Sequence, residues 1–486
     1  MRYRNAKNLL LMGTVKVISI ILAAITNIFL AIFLSSIDFG IVSTLLVIVG
    51  TISQFNDFGL FSAAVQLKNL DKNTLVSLFT IRFLIGISVF IFIFISAPYI
   101  ALLLKIKNDA VVIQLLAVEF VFTAFSFIPS VIFSRKLKFK LIAIIQFING
   151  VTYSIIAIAL AYYGFGFMSI IAGLIVSTII TSLLYFLLYR WNFELSFKIG
   201  RIIKQLHFGF TTFLGNFIWY ISNTVIVLSL LYILGIAELG NYRVAVIWAL
   251  FIPATLGPVL HNVLFPAYSK HQNDPQKLSI EVFNIIKFIS FIILPATLGL
   301  MVISSPFIIL ILSGNTTKWI HITIIFRLLI IYAILQVYVT PFPTVFLSMG
   351  KAKEILYINT LTLVSFLIFI PYFTYRFGIT GTGIGIIIGY LPNLFLYIIL
   401  SKKLIPIPFK EIFINIRKSI LFSIVMSIIV YLVVIAVANN YINLLIEIMI
   451  GTFIYFALSY LFNREIFQEF SNVLFKSAFL GKIHRE

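Results

Sequence analysis

Apolar residues run along this chain in long blocks, each closed by a short polar segment. Fourteen blocks are long enough for a membrane helix, which needs roughly 20 mostly apolar residues. The pattern predicts helices over about 9–34, 39–64, 75–98, 110–134, 141–163, 167–189, 208–234, 240–267, 279–312, 319–347, 355–375, 380–401, 419–438 and 442–462. The polar segments alternate in character. One set is rich in Lys and Arg: Arg2, Arg4 and Lys7 at the start, then Lys68 and Lys72, Arg135 to Lys140, Arg190 to Lys204, Lys270 and Lys277, Lys351 and Lys353, Lys402 to Lys418, and the tail from Arg464. The other set holds only Lys105, Lys107, Lys318 and Arg376. Cytoplasmic loops carry the excess of basic residues. The alternation therefore predicts a multi-pass cell-membrane protein with both termini in the cytoplasm. One missed helix would invert every loop after it.

Composition agrees. The 486 residues are 62% hydrophobic and 10% charged, with 51 Phe. A net charge of +20 in a soluble protein would suggest nucleic acid. Here it lies in short loops, where the anionic lipids of the inner leaflet account for it, and no nucleic-acid partner is expected. There is no Cys, so disulfides, thiol chemistry and Cys-based metal sites are excluded. The five His residues have no metal-ligand spacing and no Gly-rich phosphate loop is present, so neither a metal nor a nucleotide cofactor is expected. The start resembles a signal peptide, but its apolar run is too long for one and reads as the first span.

The two halves resemble each other. Phe39-Gly40 through Asp71-Lys72 aligns with Leu239-Gly240 through Asp274 to Lys277, at an offset near two hundred residues. Gly166, Gly173, Tyr185 and Arg190 fall opposite Gly378, Gly385, Tyr397 and Lys402; Lys136 and Lys138 fall opposite Lys351 and Lys353. The offset is even in helices, so the repeat is parallel, about an axis along the membrane normal. The expected architecture is an all-α polytopic membrane protein of about fourteen transmembrane helices. It has a six-helix lobe over 1–190, a linker over 191–207, a pseudo-symmetric six-helix lobe over 208–402, a linker with helices 13 and 14 over 403–462, and a tail over 463–486 that lies on the membrane surface or in solvent.

Charges inside the spans carry the functional argument. Lys16, Arg82, Arg243, Lys287 and Arg327 fall within predicted helices. A cation at a helix centre costs about 2.5–3.5 kcal/mol on an insertion scale, so such residues face a bundle interior or a wet cavity unless they snorkel to the headgroups. Lys16, Arg82 and Lys287 lie at one depth and are expected to ring an inward-facing cavity for an anionic headgroup. Arg327 is placed nearer the outer side, with cavity and interface both open to it; Arg243 is expected to snorkel. Glu119 is the best-placed membrane acid and reads as charge-balancing, with ion coupling as the other role; Glu447 reads as an interfacial or packing residue. The excess of cations suggests a phosphate or acidic sugar cargo. Prolines within the spans predict kinks that suit rocking lobes.

Three stretches give the chain a family resemblance: Asp57-Phe58-Gly59-Leu60 followed by Ala63-Ala64-Val65-Gln66, then Ser134-Arg135-Lys136-Leu137-Lys138-Phe139, and Val263-Leu264-Phe265-Pro266-Ala267-Tyr268-Ser269-Lys270. With the span count and the repeat, the sequence resembles a polysaccharide flippase of the multidrug/oligosaccharidyl-lipid/polysaccharide superfamily, in its O-antigen and capsule branch. The resemblance implies alternating access and a polyprenyl-diphosphate-linked oligosaccharide as cargo. It also implies service alongside other polysaccharide-assembly proteins, and helices 13 and 14 as an appendage. A coupling ion, H+ or Na+, remains open. A cation-coupled multidrug antiporter is the alternative, although it would want more membrane acids than Glu119. A membrane glycosyltransferase is disfavoured, because no outer loop is large enough to house its chemistry. A passive scaffold would tolerate loss of the buried cations.

Overall fold

The computed structural model describes residues 2–66, 71–104, 106, 110–191, 194–196, 203–314, 316–406, 409–469 and 471. The basic residues Lys68, Lys105, Lys107, Lys198, Arg201, Lys476, Lys482 and Arg485 lie outside them. The described residues are helical with no strand, and the chain divides by packing into two units, Met1–Val244 and Ala245–Glu486.

The first unit contains α1 (Arg2–Phe33), α2 (Ser36–Asp57), α3 (Leu60–Gln66), α4 (Lys72–Leu103), α5 (Ala110–Phe125), α6 (Phe127–Arg135), α7 (Phe139–Tyr162), α8 (Met168–Leu188), α9 (Ile203–Ile233) and the first turns of α10 (Ile236–Ala249). The second contains the end of α10, then α11 (Phe251–Lys270), α12 (Pro275–Val302), α13 (Ser304–Pro306) continued by a π-helical stretch Phe307–Leu312, α14 (Thr323–Val339), α15 (Pro341–Ser348), α16 (Ala352–Leu404), α17 (Phe409–Ala436) and α18 (Tyr441–Phe462).

Several predicted spans are broken helices. Residues 39–64 divide at Phe58 and Gly59, both with positive φ. Residues 110–134 bend by 45° between α5 and α6. The eighth predicted span breaks at Leu250, and the tenth at Thr340, ahead of Pro341 and Pro343. Spans 2 and 8, and spans 4 and 10, are repeat partners, so the breaks recur with the repeat. The eleventh and twelfth spans are two helices, together labelled α16, that meet at the non-helical pair Phe377 and Gly378 and pack side by side, with Asn393 Nδ2 donating to Thr362 Oγ1 at 2.9 Å. Eleven helices are long and apolar enough to cross a membrane among the described residues, or twelve with the bent α5–α6 pair. That count falls short of fourteen because α16 counts once and the broken, proline-rich α10–α11 segment does not qualify.

The repeat is also written in backbone turns. At the end of α6, Lys138 N–H donates to Phe133 O (2.9 Å) and Leu137 N–H to Ser134 O (3.1 Å). At the end of α15, Lys351 N–H donates to Phe346 O (2.7 Å) and Gly350 N–H to Leu347 O (3.1 Å). Both are Schellman-type endings, with Leu137 (φ 52°) and Gly350 (φ 72°) in the left-handed position. The equivalence sets Lys138 opposite Lys351, two residues from the register read in the sequence.

Within the second unit, α17 and α18 pack on α12. Phe291, Phe422, Met426, Val430, Leu444 and Tyr455 form their common core, and Ile466 from the helix after α18 is buried in it. Asp274 caps α12 by accepting the Lys277 N–H at 3.1 Å. That bond holds the Asp274 carboxyl below the usual carboxylate range.

Candidate functional site

One end of the first unit gathers the turns between its helices. Phe33 and Tyr162 meet edge to face at 5.8 Å between centroids, so the ends of α1 and α7 are neighbours. Asp38, in the first turn of α2, accepts the N–H of Ser35 (2.8 Å) and, from across the unit, the N–H of Phe167 (2.8 Å). The Tyr232 hydroxyl at the end of α9 donates to Leu103 O at the end of α4 (2.6 Å). We call this the turn end.

The tightest contact there joins the starts of α2 and α10. A Cβ on Gly40 would lie 2.0 Å from Ile236 O, and a Cβ on Gly240 1.7 Å from Ser36 O. Residues 36 and 40 are offset from 236 and 240 by the repeat interval, so the contact is self-complementary: each glycine receives the partner helix's first carbonyl. Only residues without a side chain allow backbones this close, as small residues do wherever membrane helices cross tightly. Asp38 and Glu238 take the same place in the two helix starts, where carboxylates complement the helix dipole. Below the crossing, α2 continues along α9: Gly50 faces the Tyr220 hydroxyl, and Phe58 stacks on Phe213 at 4.6 Å.

The expected site residues fall into different surroundings. In the first unit, Lys16 is exposed on α1, with no ion pair among the described residues. Arg82 is half-buried ten residues into α4, roughly 15 Å along the helix. Its Nη1 donates to Asn56 O at 3.5 Å, and its guanidinium lies 5.3 Å from the Phe127 ring centroid. Glu119 is half-buried on α5 and pairs with no cation among the described residues.

In the second unit, Lys287 is twelve residues into α12, deeper along its helix than the sequence suggested, because α12 begins at Pro275. Its Nζ is 3.5 Å from Glu469 Oε2; the Lys287 side chain is 13% exposed and that of Glu469 66%. Arg327 donates from Nε to Ser304 Oγ (2.8 Å) and from Nη2 to Ser305 Oγ (3.4 Å), which ties α14 to α13. No cluster of three or more His, Asp or Glu suited to a metal ion occurs among the described residues.

One residue departs from its sequence reading. Arg243 does not snorkel: it is half-buried, and its charge acts on the phenols of Tyr153 on α7 and Tyr220 on α9. Tyr220 lies thirteen residues, roughly 20 Å, from the turn end of α9, so the guanidinium points into the bundle. The repeat signalled the glycine crossing three residues before it, but not the direction of its side chain. Of the two readings open for Glu447 the structure favours packing: it is 1% exposed on the buried stripe of α18, with Leu444, Gly451 and Tyr455 at helical spacing.

Comparison with known proteins places the chain. Residues 29–323 match the family described as polysaccharide biosynthesis protein. An uncharacterized membrane protein in the cps region of Klebsiella pneumoniae is 27% identical over 394 residues, covering 79% of this chain and 80% of that protein. The lipopolysaccharide biosynthesis protein WzxC of Escherichia coli is 27% identical over 359 residues, covering 73% and 71%. Among solved structures, the lipid II flippase MurJ in an inward closed conformation shares the fold, with a TM-score of 0.78 and 19% identity over 94% of this chain and 99% of that one. An all-helical, multi-pass membrane chain whose sequence matches this family over more than half its length belongs to the polysaccharide biosynthesis protein family.

Proposed function

We propose that this protein is a flippase. It moves a polyprenyl-diphosphate-linked oligosaccharide from the inner to the outer leaflet of the cell membrane, by alternating access, for assembly of a cell-surface polysaccharide. The observation that carries the reading is the conjunction of a polysaccharide-family sequence with the fold of a lipid-headgroup flippase over nearly the whole chain. The basic residues kept inside apolar helices support it: Lys16, Arg82 and Lys287 hold the diphosphate, and Arg327 receives it on the outer side. The two repeat-related six-helix lobes, 1–190 and 208–402, are the moving parts, and both termini lie in the cytoplasm, with the turn end outside. A cation, H+ or Na+, drives the cycle, with Glu119 as the coupling or charge-balancing group. Anionic inner-leaflet lipids and other polysaccharide-assembly proteins are its partners.

The test is transport by purified protein in proteoliposomes loaded with a fluorescent lipid-linked oligosaccharide, whose headgroup is reported by an external lectin. Lectin-accessible signal should rise with time and fall in Arg82→Gln. A folded protein that leaves the signal at the rate of empty vesicles refutes the reading. Full transport by the Lys16→Gln/Arg82→Gln double variant removes the assignment of the site.

A further inference from the structure

The second unit contains a cavity of about 450 Å³ that the flippase reading does not use. Its wall comes from α12 (Phe291, Gly299), α17 (Met426), α18 (Glu447, Gly451) and Trp248. The size falls within the range that holds drug-sized ligands, roughly 300–1,000 Å³. Apart from the indole N–H of Trp248, the wall is apolar except at Glu447, Thr452 and Tyr455.

Two of those three polar groups are accounted for within the protein. The Tyr455 hydroxyl donates to Phe291 O (2.8 Å), and Thr452 Oγ1 to Ile448 O (2.8 Å). Glu447 differs: its Oε2 is buried and makes no hydrogen bond among the described residues. Among the described residues that line the cavity from α12, α17 and the Trp248–Ile252 segment, none is titratable; Tyr455, on the same helix as Glu447, is the other titratable group in the wall. Leaving a buried polar group unsatisfied is costly, and a carboxylate more so. Packing does not require an acid here, because Leu444 and Gly451 on the same stripe already seat α18 against α17. An unsatisfied acceptor in an otherwise greasy hollow is complementary to a hydrophobic body with one cationic donor. Trp248, Phe251 and Phe307 add aromatic faces that favour the same charge.

We infer that this cavity is a binding site for a lipophilic organic ammonium ion, with Glu447 pairing to the ammonium and the aromatic wall covering the apolar body. The ligand is a free organic cation that enters from the bilayer, and the site is separate from the basic residues assigned to the diphosphate.

The experiment is equilibrium dialysis of purified protein in nanodiscs with 2-(2-naphthyl)ethylammonium and, as its uncharged counterpart, 2-(2-naphthyl)ethanol. The ammonium should bind saturably and at least tenfold more tightly than the alcohol. Glu447→Gln, which keeps the shape, should reduce that preference to near unity. Gly299→Leu, which fills the hollow, should abolish binding of both probes. No saturable binding of the ammonium, equal affinity for the two probes, or a preference that survives Glu447→Gln would each overturn the proposal. Binding unchanged in Gly299→Leu would overturn it too. Because the assay involves no lipid-linked sugar, its outcome is distinct from the transport test above.

Discussion

The crossing of α2 and α10 makes a quantitative prediction, because both of its contacts are set by the absence of a side chain. Ordinary contact for a Cβ begins at 3.4 Å, whereas alanine at position 40 would place a methyl 2.0 Å from Ile236 O and alanine at position 240 would place one 1.7 Å from Ser36 O. The obstructing atoms are backbone, so no rotamer change relieves the clash. The helix starts must part locally by about 1.4 Å in one case and about 1.7 Å in the other, the differences between those distances and the contact limit. Overpacking of this kind costs about 1–3 kcal/mol. Charged only to the state that holds the crossing, it biases an equilibrium by roughly 5–150-fold toward a state that releases it. The chain has no cysteine, so spin labels at Ile37→Cys and Ala237→Cys need no prior removal of native thiols. Double electron–electron resonance in nanodiscs should show a longer-distance population in Gly40→Ala and in Gly240→Ala, of similar size in both because the contact is self-complementary. The double variant should add less than the sum of the two, since one separation relieves both clashes. A folded protein with an unchanged distance distribution in both variants refutes the argument. A change in one variant alone refutes the symmetry.

Other expectations follow from single contacts. Asp38→Ala removes charge-assisted bonds to Ser35 and Phe167 and should destabilise the first unit by about 1.5–3 kcal/mol, read as a lower melting temperature in detergent. Arg243→Gln should cut transport without lowering the melting temperature if its inward guanidinium serves the cargo; an equal loss of stability would assign it to packing. Asp274 has its carboxyl held low by the Lys277 N–H, so its cap on α12 is fully present above the unfolded-state value near 3.9 and is lost as pH falls through the lower folded value. Asp274→Asn, which caps without titrating, should therefore weaken the acid dependence of the melting temperature below about pH 4.

Much of the fold was legible because hydropathy and the repeat are one-dimensional signals. The glycine pair 40 and 240 stood out in the alignment of the halves, and in space the two glycines meet at the crossing of α2 and α10. The breaks at Phe58, Ser126, Leu250 and Thr340 were less legible. Membrane helices tolerate local interruption where neighbours re-satisfy the backbone, so an apolar run of uniform hydropathy can hide one. Gly378 shows the converse, a predicted gap between spans where the backbone does leave helical geometry and turns the chain back on itself. The partners of individual charges were the least legible, because they depend on which way a side chain turns. Arg243 near a helix end could have snorkelled, and hydropathy carries no sign of Tyr153 and Tyr220 waiting inside. Glu447 was visible as an acid at i+3 from Leu444 and i−4 from Gly451, but its lack of a partner is a property of three packed helices.

The four cations assigned to the headgroup differ in what a phosphate would have to displace. Lys16 has no carboxylate to give up among the described residues, so a phosphate gains its attraction at the cost of solvation alone. Arg327 already uses Nε and Nη2 on two serine hydroxyls and braces α14 against α13, so its neutralisation should cost stability as well as any transport. Lys287 is the instructive case. At 3.5 Å from Glu469 it is an ion pair whose acidic partner is mostly exposed, on the helix whose Ile466 is buried against α12 and α18. A phosphate that takes Lys287 must either expel Glu469 or share the ammonium with it, and two anions on one cation repel. Glu469→Gln therefore separates two roles. If Lys287 binds cargo, removing its rival should leave the protein folded and raise the apparent affinity for the lipid-linked oligosaccharide, while Lys287→Gln lowers transport. If the pair only anchors the C-terminal helix, both substitutions should lower the melting temperature alike and leave the apparent affinity where it was, and Lys287 would then leave the list of headgroup ligands.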